Sequence, residues 1–143
     1  MAPEPIRTPA SRLLSALFLA AALAAPAHAI RVINYNILNY PGTTGATRDP
    51  LYRQILAPLS PDIFCAQEMT SDAGCTEFLN SLNTMEPGQW SRAAFTNGND
   101  TDAGLFYKTS KFTLIAQGSF YPNSASLLRL VHYFRLMPTG YTS

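Results

Sequence analysis

Pro61-Asp62-Ile63-Phe64-Cys65-Ala66-Gln67-Glu68 is the stretch on which the fold turns. It is a short apolar run opened by Pro-Asp and closed by a carboxylate, the pattern of a central strand covered on both faces, with Glu68 at its C-terminal end. Upstream, Ile30 to Ile37 reads Ile-Arg-Val-Ile-Asn-Tyr-Asn-Ile, rich in β-branched and aromatic residues, and runs into the turn signal Asn39-Tyr40-Pro41-Gly42. This predicts the first strand. Between the two strands, Asp49-Pro50 supplies an N-cap and a first-turn proline, and Leu51, Ile55, Leu56 and Leu59 recur at helical spacing. That helix is expected to stop near Pro58 or Pro61. Downstream, Phe78, Leu79 and Leu82 predict a second helix from Cys75 to Leu82, closed by Gly88. The order is strand, helix, strand, helix, an α/β beginning.

After Trp90 the pattern changes to short strands at Ser91 to Phe95, Gly104 to Lys108, Phe112 to Phe120 and Leu127 to Met137. They are separated by Asn97-Gly98-Asn99-Asp100, Thr109-Ser110 and Pro122-Asn123, and so read as consecutive antiparallel strands. The last one ends in Pro138-Thr139-Gly140, a turn that calls for a returning strand. An apolar strand without its hairpin partner exposes an edge that proteins normally cover or charge, so the reading expects a truncated chain or gene fragment.

The chain has 143 residues, 47% hydrophobic and only 13% charged, which suits one domain with a single core. Arg7 and Arg12 precede an apolar run from Leu13 to Ala25, and Ala27-His28-Ala29 offers small residues to a signal peptidase. Residues 1–29 are therefore expected to be a signal peptide cleaved after Ala29, giving a secreted or periplasmic protein with no transmembrane anchor. The run is shorter than the roughly 20 apolar residues a bilayer core requires. Residues 30–143 then carry eight basic and eight acidic side chains, a neutral balance that argues against tight nonspecific binding to duplex DNA. Cys65 and Cys75 are the only cysteines, and the sequence leaves a bridge between them open.

Arg31-Val32-Ile33-Asn34-Tyr35-Asn36-Ile37-Leu38 resembles the opening strand motif of the endonuclease/exonuclease/phosphatase (DNase I-like) family, and Pro61 to Glu68 resembles its second. The resemblance implies that residues 30–143 form the N-terminal half of a four-layered α/β sandwich, here incomplete. It implies that Glu68 is a Mg2+ (or Mn2+) ligand, and that Asn36 positions metal and phosphate. Mg2+ prefers hard oxygen donors, keeps several waters and needs one or two protein carboxylates, which Glu68 can satisfy. On adjacent parallel strands the two residues would converge on the crevice where open α/β sheets bind ligands. Taken singly, an Asn at a strand end is ordinarily a turn former and a lone Glu a solvated charge. Their shared motif setting makes both site candidates.

Asn99-Asp100-Thr101-Asp102-Ala103-Gly104-Leu105-Phe106-Tyr107-Lys108 is similar to the family's next element, a polar loop entering a strand, and makes Asp102 a weaker candidate for substrate binding. Loop propensity accounts equally for its Asp and Asn residues. The family's catalytic His on the returning strand, its Asp-x-Asn motif and its terminal Asp-His pair have no counterpart in these residues. His132, inside the last strand, reads as structural. The expected function is that of a secreted Mg2+-dependent phosphoester hydrolase, inactive as this chain alone, acting on a phosphodiester or phosphomonoester. Nucleic acid remains among the substrate classes, and oligomeric state is not readable. The alternative is a secreted, non-catalytic binding module that keeps the fold.

Overall fold

The computed structural model describes residues 29–122 and 129–142. The predicted leader up to His28, and Leu127 and Leu128 of the predicted last strand, lie outside the described residues. Strand β1 (Val32–Tyr40) leads into helix α1 (Gly45–Leu59), strand β2 (Ile63–Met69) and helix α2 (Asp72–Met85). Strands β3 (Trp90–Arg92), β4 (Asp102–Lys108), β5 (Phe112–Phe120) and β6 (Val131–Pro138) follow.

Two helix starts differ from expectation. α1 begins four residues before Asp49, so Pro50 lies inside it on an exposed position. The early start follows from packing: a side chain at Gly45 would strike the Pro41 ring, so only glycine lets the helix begin against the chain leaving β1. α1 ends as expected, with Ser60 in the left-handed region and its N–H on the Leu56 carbonyl at 2.9 Å. α2 starts at Asp72 rather than Cys75, because the Ser71 hydroxyl accepts the Gly74 N–H at 3.0 Å and caps the first turn.

β1 and β2 pair in parallel, Val32 opposite Ile63 and Asn36 opposite Gln67. β4 lies antiparallel to β2 on its far side, and β3 lies antiparallel to β4, giving the order β1-β2-β4-β3. One face of this sheet carries Ile37, Tyr40, Phe64, Ala66, Met69 and Phe106 against Tyr52 and Leu56 of α1 and Phe78 and Leu82 of α2. Phe78 is its centre, stacked on Phe64 at 5.3 Å and edge-on to Tyr40 at 5.2 Å. Burial of each such ring contributes roughly 1.5–3 kcal/mol.

The expected run of consecutive antiparallel strands is only half right. β4 has both edges taken by β2 and β3, so β5 cannot pair with it and instead forms a separate two-stranded sheet with β6. This sheet covers the other face of the first through Leu105, Tyr107, Phe112, Leu114, Phe134 and Leu136. Ile63 and Cys65 of β2 pack into the same cluster, so β2 is covered on both faces as its apolar run implied. The layers are helices, sheet, sheet: three of the four layers of a DNase I-like sandwich. β3 is shorter than predicted because beyond it the Gln117 side chain takes the place of a neighbouring strand, bonding Ala94 N at 2.9 Å and Ala94 O at 3.0 Å.

Cys65 and Cys75 are both free and lie on opposite faces of the sheet, Cys75 in the helix-side core and Cys65 against the second sheet. Burial raises both thiols, Cys75 to about 12, so neither ionises near neutrality. No described helix is long and apolar enough to cross a membrane.

Asp62 ties three segments together at the start of β2. Its side chain is 1% exposed and receives Lys111 Nζ at 2.7 Å and the Arg31 N–H at 3.0 Å. Burial alone would push this carboxyl up, but the Lys111 bond and the Arg31 N–H outweigh it and hold it below the ordinary 3.8. A depressed native value means that the ionised form stabilises the fold above pH 3.8 and that this contribution fades as pH falls through the lowered value. Asp62→Asn is expected to cost about 1–2 kcal/mol at pH 7 in urea denaturation, the partly exposed Lys111 moderating the loss. The gap between the two proteins should close progressively below pH 3.8.

Candidate functional site

A regular strand alternates its side chains, and Phe64 and Ala66 both enter the helix-side core. Strict alternation would send Glu68 there too, while Asn36, opposite Gln67, would face the other way. The chain breaks the alternation. Met69, three residues after Ala66, is the next to enter the core, and the pairing with β4 skips from Ala66–Gly104 to Met69–Asp102. One extra residue is therefore accommodated, with Glu68 itself at φ 63 in the left-handed region. β1 bulges beside it: pairing jumps from Asn36–Gln67 to Tyr40–Met69, with Leu38 at φ 52 and Asn39 at φ 48. Three non-glycine residues in this region within one site are costly, about 1–3 kcal/mol each, and such strain concentrates at functional sites.

The result is contact. Asn36 Nδ2 donates to Glu68 Oε1 at 2.8 Å, and the Asn39 N–H donates to Glu68 Oε2 at 3.2 Å. The Leu38 N–H donates to Asn36 Oδ1 at 2.8 Å, which fixes the amide with its oxygen toward the bulge and its nitrogen toward the carboxylate. Next to them Gln67 Nε2 donates to Asn34 Oδ1 at 3.0 Å. The structure thus brings Asn36 and Glu68 together at the C-terminal ends of adjacent parallel strands. In this arrangement the Asn36 amide nitrogen orients Glu68, and the oxygens that keep a free lone pair are those of the Glu68 carboxylate and Asn36 Oδ1.

Asp102 sits one pairing step away, opposite Met69, and is not presented to a substrate. Its side chain is 2% exposed; Oδ2 takes the Gly98 N–H at 2.6 Å and Oδ1 meets His132 Nε2 at 3.1 Å. With both oxygens engaged, it joins β4 of the first sheet to β6 of the second. Asp100, by contrast, pairs with Arg129 at 2.8 Å on the surface. The His132 side chain is 5% exposed, and its ring stacks at 6.3 Å on Phe134. What the sequence did not disclose is its partner, 30 residues earlier and in another sheet.

Arg48 was also missed. It lies in α1, yet its guanidinium reaches the carbonyls of Ile37 at 2.7 Å and Leu38 at 2.9 Å in the β1 bulge, and of Pro41 at 3.1 Å in the turn that follows. A basic residue on a helix carries no sequence signal for such a role. The left-handed Asn39 does carry a weak one, since Asn tolerates that conformation better than most residues.

Comparison with solved structures places this geometry in a known fold. An endonuclease/exonuclease/phosphatase family protein from Bacteroides thetaiotaomicron aligns over 78% of this chain and 46% of its own, with a TM-score of 0.55 and 19% identity. ANGEL2, a 2',3'-cyclic phosphatase in complex with adenosine-2',3'-vanadate, aligns over 77% of this chain and 37% of its own at TM-score 0.58 and 22% identity. The human Nocturnin catalytic domain with bound sulfate aligns over 78% and 46% at TM-score 0.56 and 19% identity. The chain has the endonuclease/exonuclease/phosphatase fold, and it spans less than half the length of each of these structures. No family sequence model and no curated protein matches it.

The buried Asp102–His132 pair makes a direct prediction. Asp102→Ala strands both the Gly98 N–H and His132, and is expected to destabilise by about 3 kcal/mol in urea denaturation. The Asp102→Ala/His132→Ala double variant should lose distinctly less than the two single losses combined, because the residues act as a unit.

Proposed function

We propose that this chain is the metal-holding part of an exported, Mg2+-dependent phosphoester hydrolase, with Glu68 as the Mg2+ ligand, Mn2+ able to substitute, and Asn36 as the residue that aims it. The observation that carries the reading is the 2.8 Å bond between Asn36 and Glu68, formed only because both strands bulge where they end. It is supported by the fold shared with an endonuclease/exonuclease/phosphatase family protein and with ANGEL2, a 2',3'-cyclic phosphatase.

The donor set fits Mg2+ and not zinc. Among the described residues no three His, Cys, Asp or Glu side chains come together, so a closed site is absent, whereas one oriented carboxylate plus waters and phosphate oxygens is ordinary for Mg2+. When bound, Mg2+ supplies polarisation of a phosphoryl oxygen and compensation of the charge that develops on the leaving oxygen. The chain's own residues hold and orient: the Asn36 amide and the Asn39 N–H fix both carboxylate oxygens, so no side-chain rearrangement is needed as charge builds. His132 is not counted as the acceptor of a proton from water, since its Nε2 is engaged by the buried Asp102 carboxylate. We therefore assign water activation to groups beyond these residues, and expect no turnover from this chain alone.

The substrate class is a phosphodiester or phosphomonoester. The neutral balance of residues 30–143 disfavours tight duplex DNA binding. Because ANGEL2 is a 2',3'-cyclic phosphatase, a cyclic nucleotide ester belongs among the probes. The sealing of His132 is also what a non-catalytic exported module would show, and metal binding separates the two readings.

Mn2+ titration of the chain followed by electron paramagnetic resonance is expected to show one site, weakened about tenfold or more by Glu68→Gln. Equal binding by both proteins would sink the metal assignment. Hydrolysis of bis(p-nitrophenyl) phosphate with Mg2+ that disappears in Glu68→Gln would show that the proton acceptor is present in this chain after all.

A further inference from the structure

We infer that Arg48 is a positioning residue for the Glu68 site: its guanidinium holds the β1 bulge in the strained shape that delivers the Asn39 N–H and the Asn36 side chain to the carboxylate. The inference rests on the proposed role of Glu68 and extends it to a residue on a different element.

Leu38 and Asn39 are consecutive residues in the left-handed region, a conformation that turns their backbone out of the ladder with β2. Their neighbours' carbonyls must find other donors, or the kink relaxes into extended strand. Arg48 provides them: Nη1 serves the Ile37 and Leu38 carbonyls in the bulge and Nη2 the Pro41 carbonyl just past the end of β1, so one planar group bridges the bulge to the turn that follows it. Tyr52 hydroxyl adds a bond to the Ile37 carbonyl at 2.9 Å and receives Nη1 at 3.1 Å. The guanidinium lies over the Tyr40 and Tyr52 rings at 5.5 and 5.9 Å, which fixes its plane.

Among the described residues no carboxylate lies within ion-pair distance of Arg48, and its Nε is buried without a hydrogen-bond partner. A cation left in that state for packing alone would be costly. Its bonds run almost entirely to backbone carbonyls of one kinked segment, and that segment carries two of the groups that define the site: Asn39 N–H on Glu68 Oε2 and Leu38 N–H on Asn36 Oδ1. A lysine cannot reproduce the fork, since a point ammonium has no fixed planar spacing of donors.

If Arg48 works by holding a strained backbone, removing the strain should compensate for its loss. Leu38 is the residue to relieve, because it is 67% exposed and glycine adopts its φ of 52 without penalty. The test compares the unsubstituted full chain, Arg48→Met, and Arg48→Met/Leu38→Gly by amide hydrogen exchange and by Mn2+ titration. Arg48→Met is expected to raise exchange at the Asn39 amide and the Mn2+ dissociation constant each by about tenfold, with the Phe64 and Leu105 amides unchanged. Adding Leu38→Gly should recover part of both losses. Should Arg48→Met not fold, Arg48→Lys, which keeps the charge and stem but not the fork, carries the same comparison.

Unchanged Asn39 exchange and Mn2+ affinity in the folded variant would overturn the assignment. So would loss of both without recovery by Leu38→Gly, which marks a general packing role. Absence of Mn2+ binding by the unsubstituted chain overturns the functional reading, and the Arg48 role in it. Binding there that Arg48→Met leaves intact overturns the Arg48 role alone.

Discussion

A β-strand turns successive side chains to opposite faces, and that two-residue period is the constraint the rest of this site must break. The core requires Phe64 and Ala66 on the helix side, and the same parity would bury Glu68 behind the sheet, away from Asn36. Inserting one residue in β2 resets the parity, so that Met69 returns to the core while Glu68 stays free to meet Asn36. The part of the strand that builds the core and the part that carries Glu68 are thus separated by a bulge. Each satisfies a different requirement along the same seven-residue strand.

Much of the fold was legible in the sequence. The apolar run from Ile63 and the spacing of Phe78, Leu79 and Leu82 are local signals, and both elements they announce are present, the helix starting three residues earlier than expected at Asp72. The proximity of Asn36 to Glu68 was legible only through the motif resemblance, because two parallel strands joined by a helix place their ends together. Strand periodicity taken by itself would have contradicted it. The bulges left no signal beyond the tolerance of Asn39 for left-handed backbone, since Leu38 and Glu68 are poor residues for such positions. Nor could pairing be read past β4: strands that look consecutive in the sequence divide between two sheets because β2 already occupies the edge that β5 would need.

The polar contacts that hold the layers in place escaped the sequence reading for a related reason. In the sequence Asp102 reads as a loop residue that could meet substrate and His132 as a strand residue, and neither context reveals a partner 30 positions away. Asp62, 49 residues from Lys111, belongs to the same class. In a chain with so few charges, ionic groups are spent at junctions: Asp62 where β2 meets the turn into β5, Asp102 where the two sheets meet. Removing one member of such a pair leaves the other desolvated, so each joint is costly to break.

The strain at the site has to be offset by something outside it. Leu38, Asn39 and Glu68 together cost several kcal/mol at about 1–3 each. The hydrogen bonds to the Glu68 carboxylate, individually about 1.5–3 kcal/mol at best, are exposed and worth less than that. Those local bonds alone cannot hold the kink. Its two ends, however, are pinned by Ile37 and Tyr40, both fully buried against the helices, and its carbonyls are held from α1. The site therefore draws its geometry from the core and from Arg48, rather than from its own contacts. A carboxylate held this way keeps one orientation, and in the proposed role a cation would meet it without reorganising it.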